Sequence, residues 1–247
     1  MERVSHSLLW EEPGRPLPPA ATPGGPERLE WEIRDCFFVY SNALADAAAI
    51  QADLPEGFTV QTMAPGRASV GFEANRCASG TGLNGTVEGQ TYASVWVGVT
   101  PPEGLVAQPG VFHVVNFEVL VEDAPRRTWM QERGIPAHDG AVGVTTTAGH
   151  VITIAMGSTE HTLTVGQTAP LPAAGGTFDQ WTPGDQGLTY WKTDWATQDV
   201  FQGDGTIDID PGSIYADWFE SPTVPARFNV GTWDYTDGEI VHPAPTA

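Results

Sequence analysis

The sequence predicts an α+β protein that consists mostly of β strands paired in an antiparallel sheet. Three observations lead to this prediction. Apolar segments of strand length recur along the chain, separated by loops that contain glycine or proline. Only two segments have the composition and the capping residues of helices, and both are short. Many strands with few helices are typical of an α+β domain rather than of alternating βαβ units.

The chain is predicted to divide into an extended N-terminal arm, residues 1–28, and a single domain, residues 29–247. Residues 11–27 contain six prolines and three glycines, a composition that favours an extended segment. Of the 247 residues, 40% are hydrophobic, which is enough for a packed core.

The strands are predicted from alternation and from continuous apolar runs. In residues 29–40 an alternating segment leads into an apolar one, as expected of a strand that becomes fully buried. Further strands are predicted at residues 60–72, 92–99, 112–121, 141–147, 150–156, 161–165, 188–195 and 206–209. Residues 147–150 predict a tight hairpin between two of them.

Two helices are predicted from their caps. Ser41 and Asn42 offer N-cap side chains before the alanine-rich residues 43–51. Asp123 is the predicted N-cap of the second helix, which has a proline in its first turn and a glycine after its last residue.

The charge of the chain excludes two classes of partner. With 31 acidic and 11 basic residues, the net charge is −20, so the surface repels nucleic acid and anionic lipid, and we predict neither as a partner. No segment reaches the roughly 20 apolar residues of a membrane span. Residues 1–13 carry three glutamates and lack the apolar region of a secretory signal, which favours the cytoplasm.

The two cysteines, Cys36 and Cys77, fall in strand-like segments that are far apart in the sequence. In the reducing cytoplasm two free, buried thiols are the favoured interpretation, and a disulfide is the alternative.

Several short motifs, in their order and spacing, resemble the acetoacetate decarboxylase superfamily over about residues 29–220. They are the Phe-Phe-Val-Tyr strand at residues 37–40, the Leu-Pro-Glu-Gly-Phe segment at residues 54–58, the glutamate-bearing loop at residues 85–90, and the Gly-Ile-Pro turn at residues 134–136. The resemblance implies a cone-like antiparallel β barrel, an active site for a small molecule in its interior, and assembly into a homo-oligomer.

The resemblance also shows which chemistry is missing. In family members that decarboxylate, a lysine directly after the turn proline attacks a keto acid, and a second lysine beside it lowers the pKa of the first. Here these positions are Ala137 and His138, and Lys192 is the only lysine of the chain. Because neither alanine nor imidazole replaces an imine-forming amine, Schiff-base decarboxylation at this turn is not expected.

The predicted catalytic residues are Glu88 and His138. Glu88 matches the glutamate of the family, and a carboxylate in an apolar interior would have a raised pKa suited to proton transfer. The imidazole of His138 can move protons near neutral pH. We hypothesise that the two converge inside the barrel. The alternatives are a solvated glutamate and an ordinary surface turn.

Four further residues are predicted to bind substrate: Glu118, Tyr40, Tyr92 and Lys192. Glu118 lies in a strand whose other side is apolar, so it faces either the cavity or solvent. Lys192 binds a carboxylate if its side of the strand is the inner one, and exposure to solvent is the favoured alternative. The histidines and the acidic residues 204–210 lack metal-ligand spacing, so neither a metal nor another cofactor is predicted.

Two functions are consistent with these residues. The first is a cofactor-independent enzyme that acts on a small carbonyl-bearing substrate by general acid–base chemistry, as a lyase, cyclase or isomerase, for example in secondary metabolism. The second is a non-catalytic protein that binds a small ligand in the same cavity.

Overall fold

The computed structural model describes residues 27–81, 87–102, 111–140, 142–147, 151–156, 159–184 and 187–241. Within them the chain forms twelve strands and two α-helices, so the predicted mostly-β α+β fold is confirmed. The predicted arm lies outside the described residues except for Glu27 and Arg28, which already belong to the first strand.

The bounds of the elements are as follows. The strands are β1 (Glu27–Asp46), β2 (Thr59–Val60), β3 (Thr62–Ala64), β4 (Arg67–Thr81), β5 (Val87–Thr100), β6 (Val111–Val121), β7 (Val142–Thr147), β8 (Val151–Met156), β9 (Thr159–Pro170), β10 (Gly175–Gly184), β11 (Gly187–Asp208) and β12 (Thr223–Val241). The helices are α1 (Ala47–Asp53) and α2 (Ala124–Glu132), and a 3-10 turn spans Ala216–Trp218.

Seven of the strands close into a ring of pairings. They follow the order β10-β6-β5-β4-β1-β12-β11, and β11 pairs back with β10. The pairings are antiparallel except that between β10 and β6, which is parallel. The sheet is therefore mixed and not antiparallel throughout as predicted. A parallel pair needs a long crossover, and α2 with β7, β8 and β9 supplies it.

The first half of β11 pairs with β10 inside the ring, whereas its second half pairs with β9. Strands β8 and β7 follow β9 in the sheet. These strands and the outer side of the ring enclose one apolar cluster, in which Phe72, Leu163, Ile207 and Phe228 are fully buried. The predicted hairpin between β7 and β8 is consistent with the pairing of Thr147 with Val151, but residues 148–150 lie outside the described residues.

The first helix begins later than predicted. Its N-cap is Asp46, whose carboxylate accepts hydrogen bonds of 2.8 Å from the backbone amides two and three residues further on. Ser41 and Asn42 instead continue β1, as does Leu44, which is exposed between two buried alanines. This alternation is that of a strand, and pairing with β4 and β12 overrides the helix propensity of alanine.

Helix α2 is formed as predicted and packs against strands of the ring. The side chain of Asp123 accepts from the backbone N–H of Arg126 at 2.8 Å, and Gly134 takes a positive φ of 78° just after the helix. The buried residues Arg126, Trp129 and Met130 recur at helical spacing, so one side of α2 faces the ring.

Cys36 and Cys77 form a disulfide, so the interpretation as free thiols is wrong. The two residues lie 41 positions apart, but the antiparallel register of β1 and β4 places them directly opposite each other. The assignment to the cytoplasm remains a prediction, and it loses the support of reduced thiols. None of the helices that the structure describes is long and apolar enough to span a membrane.

Replacing both Cys36 and Cys77 with alanine should lower the free energy of unfolding by about 2–4 kcal/mol, because the unfolded chain loses a covalent constraint. For a chain of this length this corresponds to a decrease in Tm of roughly 5–15 °C. Differential scanning calorimetry with and without reductant measures both effects. Wild type in reductant should unfold like the double variant, and equal Tm values in all four samples would contradict the prediction.

Candidate active site

Side chains from the strands of the ring and from α2 line a chamber. We call it the inner chamber; the space between its lining atoms, together with the open solvent at its mouth, amounts to about 480 Å³. Each of the seven strands of the ring contributes at least one lining side chain, and α2 adds Arg126. One lining residue from each strand, in chain order, is Ile33, Glu73, Tyr92, Val114, Gln180, Trp191 and Tyr235.

Glu73 is a buried carboxyl group in the wall of this chamber, with only 6% of its surface exposed. Its Oε1 accepts hydrogen bonds from the hydroxyl of Tyr235 at 2.9 Å and from the amide of Asn75 at 3.0 Å. Burial raises the pKa of Glu73 from its ordinary value of 4.5 to about 7, although hydrogen bonds from Tyr235, Asn75 and Trp96 oppose this shift. Near neutral pH, the carboxyl is therefore present in both protonation states.

Arg126 brings a positive charge into the same chamber. Its side chain is 5% exposed, and its guanidinium carbon lies 5.7 Å from the centre of the Tyr92 ring. Burial lowers its pKa, and the nearby Tyr92, Tyr235 and Asp123 oppose this effect. The cap at Asp123 fixes the first turn of α2, and Arg126 in this turn lines the chamber.

A second chamber adjoins the first and shares Glu73, Trp96 and Phe178 with it. We call it the outer chamber; the space between its lining atoms, together with the open solvent at its mouth, amounts to about 690 Å³. It is bounded in part by the segment between β9 and β10, residues 171–174. The indole of Trp96, in β5, lies directly over its cross-strand neighbour in β4 because residue 71 is a glycine. A Cβ at Gly71 would lie 2.4 Å from the indole of Trp96.

The two predicted tyrosines line these chambers. Tyr92 is buried in the wall of the inner chamber, and Tyr40 lines the outer one, with its ring stacked on that of Trp96 at 5.3 Å. The hydroxyl of Tyr40 accepts a hydrogen bond from Asn42. Burial raises the pKa of both phenols above the usual value, so both keep their protons near neutral pH.

Glu88 lies in β5, and its backbone is paired with Ser79 of β4. Its side chain is outside the part of the chain that the structure describes. A catalytic role for Glu88 therefore stays a prediction.

His138 is exposed, and it lines neither chamber. The backbone of residues 137–138 runs beside β6, where His138 exchanges hydrogen bonds with Val119 and Val121. Side chains alternate in this extended segment, so Ala137 is buried toward the ring and His138 points away from it. The side chain of His138 therefore does not face the inner or the outer chamber.

Glu118 belongs to a different polar cluster. Its Oε2 accepts from the hydroxyl of Tyr215 at 3.1 Å, and this hydroxyl lies 3.1 Å from Nε2 of the buried His161. Because Nδ1 of His161 accepts the backbone N–H of Asp210, Nε2 carries the proton. Burial raises the pKa of Glu118 and lowers that of His161 to about 4. Glu118 lines neither chamber.

Lys192 is buried, with 4% of its surface exposed, so the expectation of an exposed strand lysine is wrong. Its neighbours Trp191 and Thr193 line the inner chamber, whereas Lys192 lines neither chamber. In β11 it lies opposite Asp179 of β10. The alternation of the strand therefore turns the only lysine away from the candidate site.

Glu73 and Arg126 are not among the site residues predicted from the sequence. A signal for Glu73 is present, because Glu73, Asn75 and Cys77 alternate with the apolar Phe72 and Ala74 beyond the point where the predicted strand ended. For Arg126, the sequence predicts only a position in a helix. Among the described residues, no group of three or more His, Cys, Asp and Glu side chains is arranged to hold a metal ion.

The fold is that of the acetoacetate decarboxylase-like enzymes, as predicted. The enduracididine biosynthesis enzyme MppR in complex with pyruvate matches with a TM-score of 0.56 over 90% of this chain and 93% of that one, at 14% sequence identity. MppR complexed with the condensation product of pyruvate and imidazole 4-carboxaldehyde matches with a TM-score of 0.53 over 87% and 88% of the two chains, again at 14% identity.

Acetoacetate decarboxylase from Legionella pneumophila matches with a TM-score of 0.51 over all of this chain and 98% of that one, at 14% identity. No protein-family model matches the chain, and no curated protein matches it. At 14% identity the solved structures establish the fold alone, so the chemistry has to be argued from the residues of this chain.

Proposed function

We propose that the protein is an enzyme that transfers protons on a small, carbonyl-bearing organic acid in the inner chamber, without a cofactor and without a lysine imine. The observation that carries the proposal is Glu73, a buried carboxyl with a pKa of about 7 at the junction of the two chambers. A group whose pKa lies near the working pH is an effective general acid and base.

Arg126 is the proposed binding group for the acid. A guanidinium offers five N–H donors in a plane and binds carboxylates through paired, charge-assisted hydrogen bonds. Its burial excludes much of the water that would weaken such a contact. Pyruvate bound to MppR, which has the same fold, is consistent with an oxo acid as substrate.

The proposed step is abstraction of a proton from the carbon next to the carbonyl. The C–H bond breaks, the proton goes to the carboxylate of Glu73, and the electron pair forms the C=C bond of an enolate. Negative charge then develops on the carbonyl oxygen, and Arg126 and Tyr92 are among the charged and polar groups of the chamber that could stabilise it. Return of the proton to another carbon gives isomerisation, and its transfer to a departing hydroxyl gives dehydration.

No lysine is assigned a part in this mechanism. Ala137 occupies the position that resembles that of the nucleophile in decarboxylating enzymes, and its methyl group is buried in the apolar cluster around Tyr92 and Trp191. Lys192 lines neither chamber. Glu88 is retained as a predicted second acid–base group, whereas the exposed His138 is not used.

Proton exchange tests the proposal without knowledge of the natural substrate. In D₂O, the wild-type protein should replace hydrogens next to the carbonyl of an oxo acid with deuterium, and ¹H NMR follows the loss of signal for pyruvate and for larger aryl-substituted oxo acids. Borohydride should trap no adduct with any of these acids, as judged by intact mass. Binding of the acids without exchange would favour the alternative of a non-catalytic ligand-binding protein, whereas a trapped adduct would establish an imine.

Assembly into a homo-oligomer, with the arm across a neighbouring subunit, remains a prediction that follows from the resemblance and from the composition of residues 1–28.

A further inference from the structure

We propose that the outer chamber binds a planar, oxygen-bearing aromatic ring system of at least two rings, which forms the tail of the substrate. The proposal rests on the proposed function only in placing the acid end of the same molecule beside Arg126. Binding of the aromatic tail is a property of the outer chamber alone.

The wall of the outer chamber consists largely of aromatic rings. Phe38 and Trp233 are stacked with their ring centres 4.2 Å apart, and Tyr40 is stacked on Trp96. Another aromatic group of the wall is formed by three rings with centres 5.6–6.4 Å apart: Phe112, Phe178 and Trp195. Flat aromatic molecules pack well against such surfaces, because offset stacking and edge contacts add to the burial of apolar area.

Two hydrogen-bond donors in this wall indicate oxygen atoms on the ligand. The indole N–H groups of Trp195 and Trp233 are buried, and neither has an acceptor among the described residues. Trp233 as a whole is only 5% exposed. Buried indole N–H groups usually have partners, because an unmet donor loses its bond to water without replacement. Carbonyl or ether oxygens at the edge of a bound ring system would accept these two bonds.

The charges determine which end of the substrate lies here. The described lining of the outer chamber contains no arginine, lysine or histidine, so it offers no positive charge to a carboxylate. The guanidinium of Arg126 lies in the inner chamber, on the other side of the shared residues Glu73, Trp96 and Phe178. The substrate is therefore expected to bind with its acid end inward, its tail outward and its carbonyl near Glu73.

The rim of the outer chamber is also apolar. Phe112 is 53% exposed, and Leu171 in the segment before β10 is exposed as well. Large exposed apolar side chains at the opening of a pocket are consistent with the passage of an apolar molecule.

Isothermal titration calorimetry with chromone and naphthalene tests the proposal, because both probes are flat and bicyclic but only chromone carries a carbonyl and a ring oxygen. Wild type should bind chromone about tenfold more tightly than naphthalene, the gain expected from two neutral hydrogen bonds. The double variant Trp195→Phe/Trp233→Phe should lose this preference and keep its affinity for naphthalene. Trp218→Phe is the matched control, since its indole lies outside both chambers and donates to Asp53, and it should bind like wild type.

Equal affinity of wild type for the two probes, a preference that survives the double substitution, or no binding of either probe would overturn the proposal. Should the double variant fail to fold, Ala174→Trp provides a second test, because Ala174 is exposed in the lining and a larger side chain there should block both probes. Binding unaffected by that substitution would also count against the outer chamber.

The same titrations separate this inference from the proposed function. Glu73→Gln should keep the preference for chromone, because the donors are the two indoles and not the carboxyl. Chromone binding without proton exchange on any oxo acid would leave the inference standing and reject the proposed function. Proton exchange on small oxo acids without chromone binding would support the proposed function and reject this inference.

Discussion

Glu73→Gln should lower kcat for deuterium exchange by about 10²–10⁴-fold, which is the usual contribution of a general acid–base group. Glutamine has nearly the same shape and still accepts hydrogen bonds from Tyr235 and Asn75, but it does not take up a proton. The affinity for an unreactive acid should therefore change far less than kcat. NMR exchange rates and calorimetric titration of the same variant give the two quantities.

Glu118→Gln is the matched control for this substitution. Glu118 is also a glutamate whose pKa is raised by burial, but it is bonded to Tyr215 and lines neither chamber. Exchange by Glu118→Gln should remain within a few-fold of wild type. A large loss in Glu118→Gln together with normal exchange in Glu73→Gln would transfer the catalytic role to the cluster around His161.

The pKa of Glu73 also predicts how activity and stability depend on pH. If ionised Glu73 removes the proton, kcat/KM for exchange should rise with pH and level off above a midpoint near 7.

The free energy of unfolding should change with pH in the opposite direction to this activity. The folded state holds a proton that the unfolded state loses above its pKa of 4.5, so the contribution of Glu73 to stability decreases as pH rises from 4.5 through 7, by about 3 kcal/mol in total. Denaturant titrations of wild type and Glu73→Gln should diverge over this range.

Local signals in the sequence were reliable where the partner of a residue is close in the chain. Asp123 caps α2 as predicted, because a cap and the amides that it binds lie within three residues. The start of α1 differs from the prediction because residues 43–46 pair with β4, and Ala43 also pairs with β12, which is distant in sequence. The disulfide was missed for the same reason, since only the register of β1 with β4 brings Cys36 opposite Cys77.

The candidate site depends even more on distant contacts. A glutamate in a strand has the same local signature whether it faces solvent or a chamber, and the raised pKa of Glu73 comes from burial by all the strands around it. Likewise, the sequence did not reveal that Lys192 points away from the chambers, since a shift of one residue in β11 would reverse its direction. The resemblance to a family located the turn before His138, but not the direction of that side chain.

Arg126→Met should abolish most of the affinity for carboxylates and leave the fold intact. Charge-assisted hydrogen bonds contribute about 1.5–3 kcal/mol, so Kd for an oxo acid should rise by roughly 10–100-fold. The variant should still fold cooperatively, because burial disfavours the charged form of Arg126 and methionine fills a similar volume without a charge. Arg133→Met is the matched control on the same helix. The guanidinium of Arg133 lies over the ring of Trp129 at 4.2 Å, outside the inner chamber, so its loss should not change Kd. Equal Kd values for wild type and Arg126→Met, or a large loss of stability in that variant, would show that the buried charge supports the structure and does not bind the acid.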